Sequence, residues 1–341
     1  MKILINIINI IRRIFKSLGK KEKKLIHLIT YLSWLKRKDK NQLSIDEQNI
    51  FKDKSFFIEN KLWPKKIAAF IIFSFKESRL KFITNICKNI ENINANTDIT
   101  IVVNVEGFEK KEIIEASIKK QSNLKVNFFC PQNLLDPRLL TYSHFELVKE
   151  KIKDETFTHF LYLEDDILIS ENNIKYWVIA RQALRKFNLI PVFLRTESKN
   201  NEKYLVDSLK RNNFFFQPKI FNSNKEIAFI NLFDFFTPTY FYDRELMLEH
   251  LQGPSSSIDF GHGTFDERWI NPDMKELGVM ERASTLLAFK DIPEGFLHRN
   301  VVPVNVKNKS LKEYCLIEHL SNRFVNEKSC LGNIKVKEIF Y

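Results

Sequence analysis

A chain of 341 residues can hold one large domain, and its 44% hydrophobic content with 31 Phe excludes a disordered polymer. The net charge of +12 suggests nucleic acid until it is located: residues 1–40 carry +10 of it, and the nearly neutral remainder shows no basic, aromatic-interleaved groove, so no nucleic-acid partner is expected. Cys87, Cys130, Cys315 and Cys330 stand far apart without CxxC pairing, which excludes a zinc pattern or disulfide framework and suits reduced thiols in a cytoplasmic compartment.

Within residues 1–40, Leu4, Ile7, Ile8, Ile11, Ile14, Phe15 and Leu18 recur at helical spacing, while Lys2, Asn6, Asn9, Arg13, Lys16 and Lys20 fall elsewhere. Arg12 and Arg13 break the apolar run well short of the roughly 20 residues needed to span a bilayer. The charge follows the apolar core instead of preceding it, against the order in a signal peptide. The expectation is a basic amphipathic segment lying on an anionic membrane surface, making the protein cytoplasmic and peripherally membrane-associated. A second patch in His27–Trp34, followed by Lys36, Arg37, Lys38 and Lys40, extends it; the alternative is packing against the domain or a partner. Residues 41–65 are polar, contain Trp63-Pro64, and read as a linker.

From residue 66 the pattern alternates. Ile67–Phe75 suits a buried parallel strand, Ser78–Ile90 a helix through Leu80, Phe82, Ile83, Ile86 and Ile90, and Asp98–Val105 a second strand. A helix over Lys110–Lys120, a strand over Leu124–Cys130, a helix over Arg138–Lys153 and a strand over Phe160–Leu163 complete a βαβαβαβ series. The fold class is therefore α/β, a mostly parallel Rossmann-like sheet flanked by helices, spanning 66–305 with a C-terminal extension over 306–341.

The last of these strands runs Thr158-His159-Phe160-Leu161-Tyr162-Leu163 into Glu164-Asp165-Asp166 and then Ile167-Leu168-Ile169-Ser170. Buried carboxylates need a cationic neighbour, and the carboxyl end of a central strand is where an open α/β sheet binds ligands, so a divalent cation is one reading. The other is a solvated acidic turn, with Ser170 capping a helix that begins near Glu171.

Eight glycines form neither GxGxxG nor GxxxxGK[ST], which disfavours a glycine-cradled nucleotide. Gly253, Gly261 and Gly263 instead punctuate 252–263, expected to be a loop over a site. Thr264 can cap a following helix whose first acids are Asp266 and Glu267. Those acids either complement the helix dipole or, beside Trp269 with its sugar-sized face and Gly263, form an acceptor site.

The strand order, Glu164-Asp165-Asp166, the glycine loop running into Phe265-Asp266-Glu267-Arg268-Trp269, and Gly295-Phe296-Leu297-His298 together resemble GT-A glycosyltransferases. The layout is most similar to N-acetylglucosaminyltransferase I and its relatives, with Phe265 and Glu267 standing where that family has a Trp and an Asp. The resemblance implies transfer of a sugar from a nucleotide-sugar donor, a UDP-sugar in the first instance, to a hydroxyl of a glycan, lipid-linked or other acceptor. It places Glu164 and Asp165 on the donor, and His298 near metal or diphosphate, against the alternative of a structural histidine.

The chemistry fits the residues on its own terms. A departing diphosphate is neutralised by Mn²⁺ or Mg²⁺ held by few carboxylates, with Asp166 the expected ligand. An inverting transfer needs a base for the acceptor hydroxyl, supplied by Glu267 or Asp266, the resemblance favouring Glu267. Ser74, Lys76 and Arg79 after the first strand, and Asn104 and Glu106 after the second, are candidate nucleotide contacts. Arg138 is either a diphosphate contact or a solvated arginine at a helix start. A metal-dependent phosphohydrolase or nucleotidyltransferase, which would also use clustered acids, and a non-catalytic membrane-surface scaffold are the rival readings.

Overall fold

The computed structural model describes residues 41–43, 45–93, 95–132, 134–207, 220–222, 226–232, 237–257, 278–293, 296, 298–327 and 331–340. In chain order they form β1 (Asn41–Leu43), α1 (Lys54–Glu59), β2 (Ile67–Phe73), α2 (Leu80–Ile93), β3 (Thr97–Val103), α3 (Val105–Glu109), α4 (Lys111–Lys119), β4 (Val126–Phe129), α5 (His144–Lys151) and β5 (His159–Glu164). There follow β6 (Ile167–Leu168), α6 (Glu171–Leu184), β7 (Ile190–Pro191), β8 (Leu194–Lys199), β9 (Glu202–Leu205), β10 (Ile220–Asn222), β11 (Ile227–Ile230) and β12 (Tyr240–Asp243). The remainder is α7 (Arg244–Leu251), α8 (Val279–Thr285), β13 (Asn300–Asn305), β14 (Ser310–Leu311), β15 (Leu316–His319), α9 (Arg323–Asn326) and β16 (Ile334–Lys335).

The central sheet has the order β12-β5-β2-β3-β4, parallel except for β12, which runs antiparallel beside β5. The expected α/β class, a mostly parallel sheet flanked by helices, is borne out. Every residue of β2 is buried, because a strand covered on both faces takes an unbroken apolar sequence. α2 turns Ile83, Ile86, Cys87, Ile90 and Ile93 inward, and α4 does the same with Ile114 and Ile118. The chain builds outward from β2 through β3 to β4, then returns to the other side of β2 as β5. The crevice at the carboxyl ends of β2 and β5 is therefore the topological switch point, where sheets of this kind open to ligands.

A second sheet, β16-β9-β8-β15-β6, abuts that crevice because β6 continues directly from the turn that ends β5. A third contains β1, β10, β11, β13 and β14, with β7 paired to β13. Residues 41–65, expected to be a linker, are part of the packed body: Phe57 is 0% exposed, its ring meets Trp63 edge-on, and β1 pairs with β10. The polar residues between the buried Ile50, Phe57 and Trp63, which lie in three successive short pieces of the chain, hid this packing. The expected C-terminal extension is also integral, since β15 is inserted between β8 and β6. Residues 1–40 lie outside the described residues.

Candidate active site

Glu164 closes β5 opposite Ile72 of β2, and Asp165-Asp166 make the turn into β6. The turn is held from two sides. Leu320 N–H donates to the Asp166 carbonyl at 2.8 Å. After the turn, Ser170 caps α6 reciprocally with Asn173, whose amide also donates to the carbonyls of Tyr314 and Leu316 and so ties α6 to β15. The expected Ser170 cap is there, but the acids are buried and do not form a solvated turn. Asp165 and Asp166 are only 6% and 3% exposed.

Three cationic or ionisable side chains meet these acids. Arg79, in the short turn between β2 and α2, forks the Asp165 carboxylate, with Nε 2.6 Å from Oδ2, and its Nη2 lies 3.0 Å from Asp166 Oδ2. Arg195 on β8 is fixed by the buried Asp207, which accepts both its Nε–H and its backbone N–H at 2.7 Å, while Nη1 reaches Glu164 Oε2 at 3.4 Å. His319, at the end of β15, places Nε2 3.2 Å from Asp166 Oδ2. Its Nδ1 lies 2.5 Å from Glu197 Oε1 and 3.2 Å from Ser321 Oγ. Arg195 and Glu197 share a face of β8 because strand side chains repeat every second residue.

The electrostatics follow from burial and charge count. Burial, reinforced by repulsion from Asp166, outweighs Arg195 and pushes the Glu164 carboxyl up to about 8. Asp165 is raised to about 6 by burial, against the pull of Arg79. Burial would raise Asp166 too, but the His319 hydrogen bond and charge, with Arg79 and Arg195, hold it down at about 2. His319 is raised: its hydrogen bonds to Asp166 and Glu197 overcome the cost of burying an imidazolium. Even with Glu164 protonated, the carboxyl groups of Asp165, Asp166, Glu197 and Asp207 outnumber the guanidiniums of Arg79 and Arg195 and the His319 imidazole, so the cluster has room for added positive charge.

Among the described residues no group of three His, Cys, Asp or Glu is spaced to hold a metal ion by itself. Asp166 and His319 offer one oxygen and one nitrogen 3.2 Å apart. These are two donors only, and a cation held there would be completed by phosphate oxygens and water.

Of the residues expected at the site, Glu164, Asp165, Asp166 and Arg79 come together. Ser74 and Lys76 are exposed beyond the end of β2, and Glu106 is exposed in the first turn of α3. Asn104 serves the backbone: its Oδ1 accepts from Phe75 N at 3.0 Å and Gly107 N at 3.3 Å, joining the ends of β2 and β3. Arg138 is an exposed arginine forked onto its own Asp136, at 2.6 Å for Nη2. His298 requires a correction. It is buried with Nε2 donating to the Leu232 carbonyl at 2.9 Å and its ring against Phe289, and the histidine that reaches the acidic turn is His319. Gly263, Asp266, Glu267 and Trp269 lie outside the described residues.

No protein-family model and no curated protein matches the chain. Among solved structures, a mannosyltransferase from Pyrobaculum calidifontis in complex with GDP-Man and Mn²⁺ aligns over 57% of this chain and 48% of its own, with 9% identity and a TM-score of 0.30. A 4-diphosphocytidyl-2C-methyl-D-erythritol synthase from Anaerococcus prevotii covers 56% and 78% at 12% identity, with a TM-score of 0.30. A glycosyltransferase involved in glycosylation of the major capsid of PBCV-1 covers 60% and 78% at 10% identity, with a TM-score of 0.26. Likenesses this low do not identify the chain, and its function has to be read from its own residues.

Proposed function

We propose that this protein is a glycosyltransferase of GT-A type, moving a sugar from a nucleoside-diphosphate donor, a UDP-sugar in the first instance, to an acceptor hydroxyl with inversion. The observation that carries the reading is the buried Glu164-Asp165-Asp166 turn at the switch point, with Asp166 facing His319 at 3.2 Å. A solvated acidic turn needs neither the arginines nor the histidine that surround this one.

Asp166, with His319 Nε2, would hold Mn²⁺ or Mg²⁺, which when bound neutralises the leaving diphosphate. Arg79 lies at the mouth of the crevice, about a quarter exposed, with N–H groups suited to the same phosphate oxygens. Glu164 and Asp165 orient the donor ribose and sugar, as in the enzymes resembled, and Arg195, locked by Asp207, keeps Glu164 in place. Glu267 or Asp266 removes the acceptor proton as the new bond forms.

The catalytic body in this proposal extends beyond 66–305 to include the packed flanks, and residues 1–40 attach it to an anionic membrane surface. Among the described residues no helix is long and apolar enough to cross a membrane. The test is a thermal-shift screen of UDP-, GDP- and CDP-sugars with and without Mn²⁺. The proposal expects a metal-dependent upward shift with at least one nucleotide sugar and a smaller one with the bare nucleoside.

A further inference from the structure

We infer that Glu197 is a positioning residue, holding the His319 ring so that Nε2 faces Asp166 and the incoming cation. The inference rests on the metal reading of the site given above. Its basis is geometric. Along β15, Leu316, Ile317 and Glu318 pair with Leu194, Arg195 and Thr196 of β8, so the next residue, His319, falls beside Glu197. On its other side His319 pairs with Ile167, the residue after Asp166. One strand thus carries the imidazole between two carboxylates.

Glu197 is 0% exposed and both its oxygens are engaged, Oε1 with His319 Nδ1 at 2.5 Å and Oε2 with Val325 N–H at 2.8 Å. A buried carboxylate is a poor choice for stability alone, since an apolar residue of similar volume serves as well or better. What the carboxylate adds is direction. It fixes a proton on Nδ1, so that the Nε2 proton, shared with Asp166 in the metal-free site, is the one a cation would displace, the arrangement by which outer carboxylates orient metal-binding histidines. The Phe324 ring, stacked 5.5 Å from the imidazole at 26°, restricts it further.

The experiment titrates Mn²⁺, alone and with saturating UDP, into the full chain and the variants Glu197→Gln, His319→Ala, Asp166→Asn and Glu197→Gln/His319→Ala. Mn²⁺ affinity should fall about ten- to a hundredfold in Glu197→Gln. The double variant should be no weaker than His319→Ala alone, because Glu197 acts only through the ring. Additive losses, or parental affinity in a folded Glu197→Gln, overturn the assignment. A parent that takes up no Mn²⁺, or a folded Asp166→Asn that binds it as the parent does, overturns the metal reading and this assignment with it. Should Glu197→Gln fail to fold, the ¹⁵N spectrum of His319 in the parent decides: Mg²⁺ should shift Nε2 while Nδ1 stays protonated, and a proton-free Nδ1 contradicts the inference.

Discussion

His319 Nε2 stands 3.2 Å from Asp166 Oδ2, which makes the strand near the C-terminus a structural partner of the acidic turn that ends β5. The same turn meets Arg79 from the segment between β2 and α2 and Arg195 from β8, so three separate parts of the chain converge on three consecutive acids.

Arg195→Leu should unfold far more easily than the parent. The change leaves Asp207, whose side chain is fully buried, without its cation, and Glu164 without its nearest one. Removing one member of a buried ion pair costs about 3 to 5 kcal/mol. Urea denaturation followed by circular dichroism measures it, and a loss under about 1 kcal/mol would mean that water already screens the pair.

Gly107→Ala should also destabilise, for a steric reason. A Cβ at that position would lie 3.0 Å from Asn104 Oδ1, Phe75 Cβ and Val103 Cβ, which together close the end of the sheet between β2 and β3. Overpacking of this kind costs about 1 to 3 kcal/mol, read as a lower midpoint in the same denaturation.

Stability should fall as pH drops below 6.5. Burial lowers His144 to about 3 and His250 and His298 to about 4, and each donates one N–H to a backbone carbonyl as a neutral ring, His144 also accepting from the Tyr240 hydroxyl. The unfolded chain binds these protons first, so the stabilisation is complete above the unfolded value of 6.5 and is lost toward the folded values near 4. The slope is at most about 1.4 kcal/mol per histidine per pH unit. Glu164 and Asp165, raised to about 8 and about 6, bind protons first in the folded state and offset part of this loss, so the check compares midpoints at pH 7 and 5 in the parent and in His250→Gln: an equal fall in both would show that the buried ring accepts its proton without cost.

The parallel core was legible because burial on both faces leaves a continuous apolar signature: β2 and β5 stand out as runs, and α2 and α4 as helical stripes. Three consecutive acids after such a run were equally visible. Arg195, Glu197 and His319 were not, since one charged residue on every second position of a strand looks like an exposed face until the partner strand is known. The His298 reading went astray for a related reason. A histidine after Gly-Phe-Leu carries the same local signal whether its ring meets a carbonyl or a carboxylate, and only the register of β15 against β6 and β8 separates the two. Residues 41–65 misled through composition, their buried aromatics being spaced among lysines and acids.

Base and donor site should fail differently. Glu267→Gln, or Asp266→Asn if that acid holds the role, should lower turnover by roughly 10² to 10⁴ while donor affinity stays parental. Both acids at parental turnover would leave them as helix-dipole residues only.

Membrane attachment through residues 1–40 should be electrostatic. Sedimentation with phosphatidylserine vesicles should weaken with salt and disappear when 1–40 are removed. Equal sedimentation of the shortened and full chains would place the contact elsewhere.

The central claim concerns the Asp166 carboxylate as the anchor of a metal-dependent donor site, and calorimetric titration of nucleotide sugars in Mn²⁺ into the parent and Asp166→Asn tests it most directly. The account predicts that at least one UDP- or other nucleoside-diphosphate sugar binds the parent, that chelation of Mn²⁺ weakens it, and that a folded Asp166→Asn binds it at least tenfold more weakly. Equal affinity in parent and variant, or binding indifferent to the metal, would contradict it.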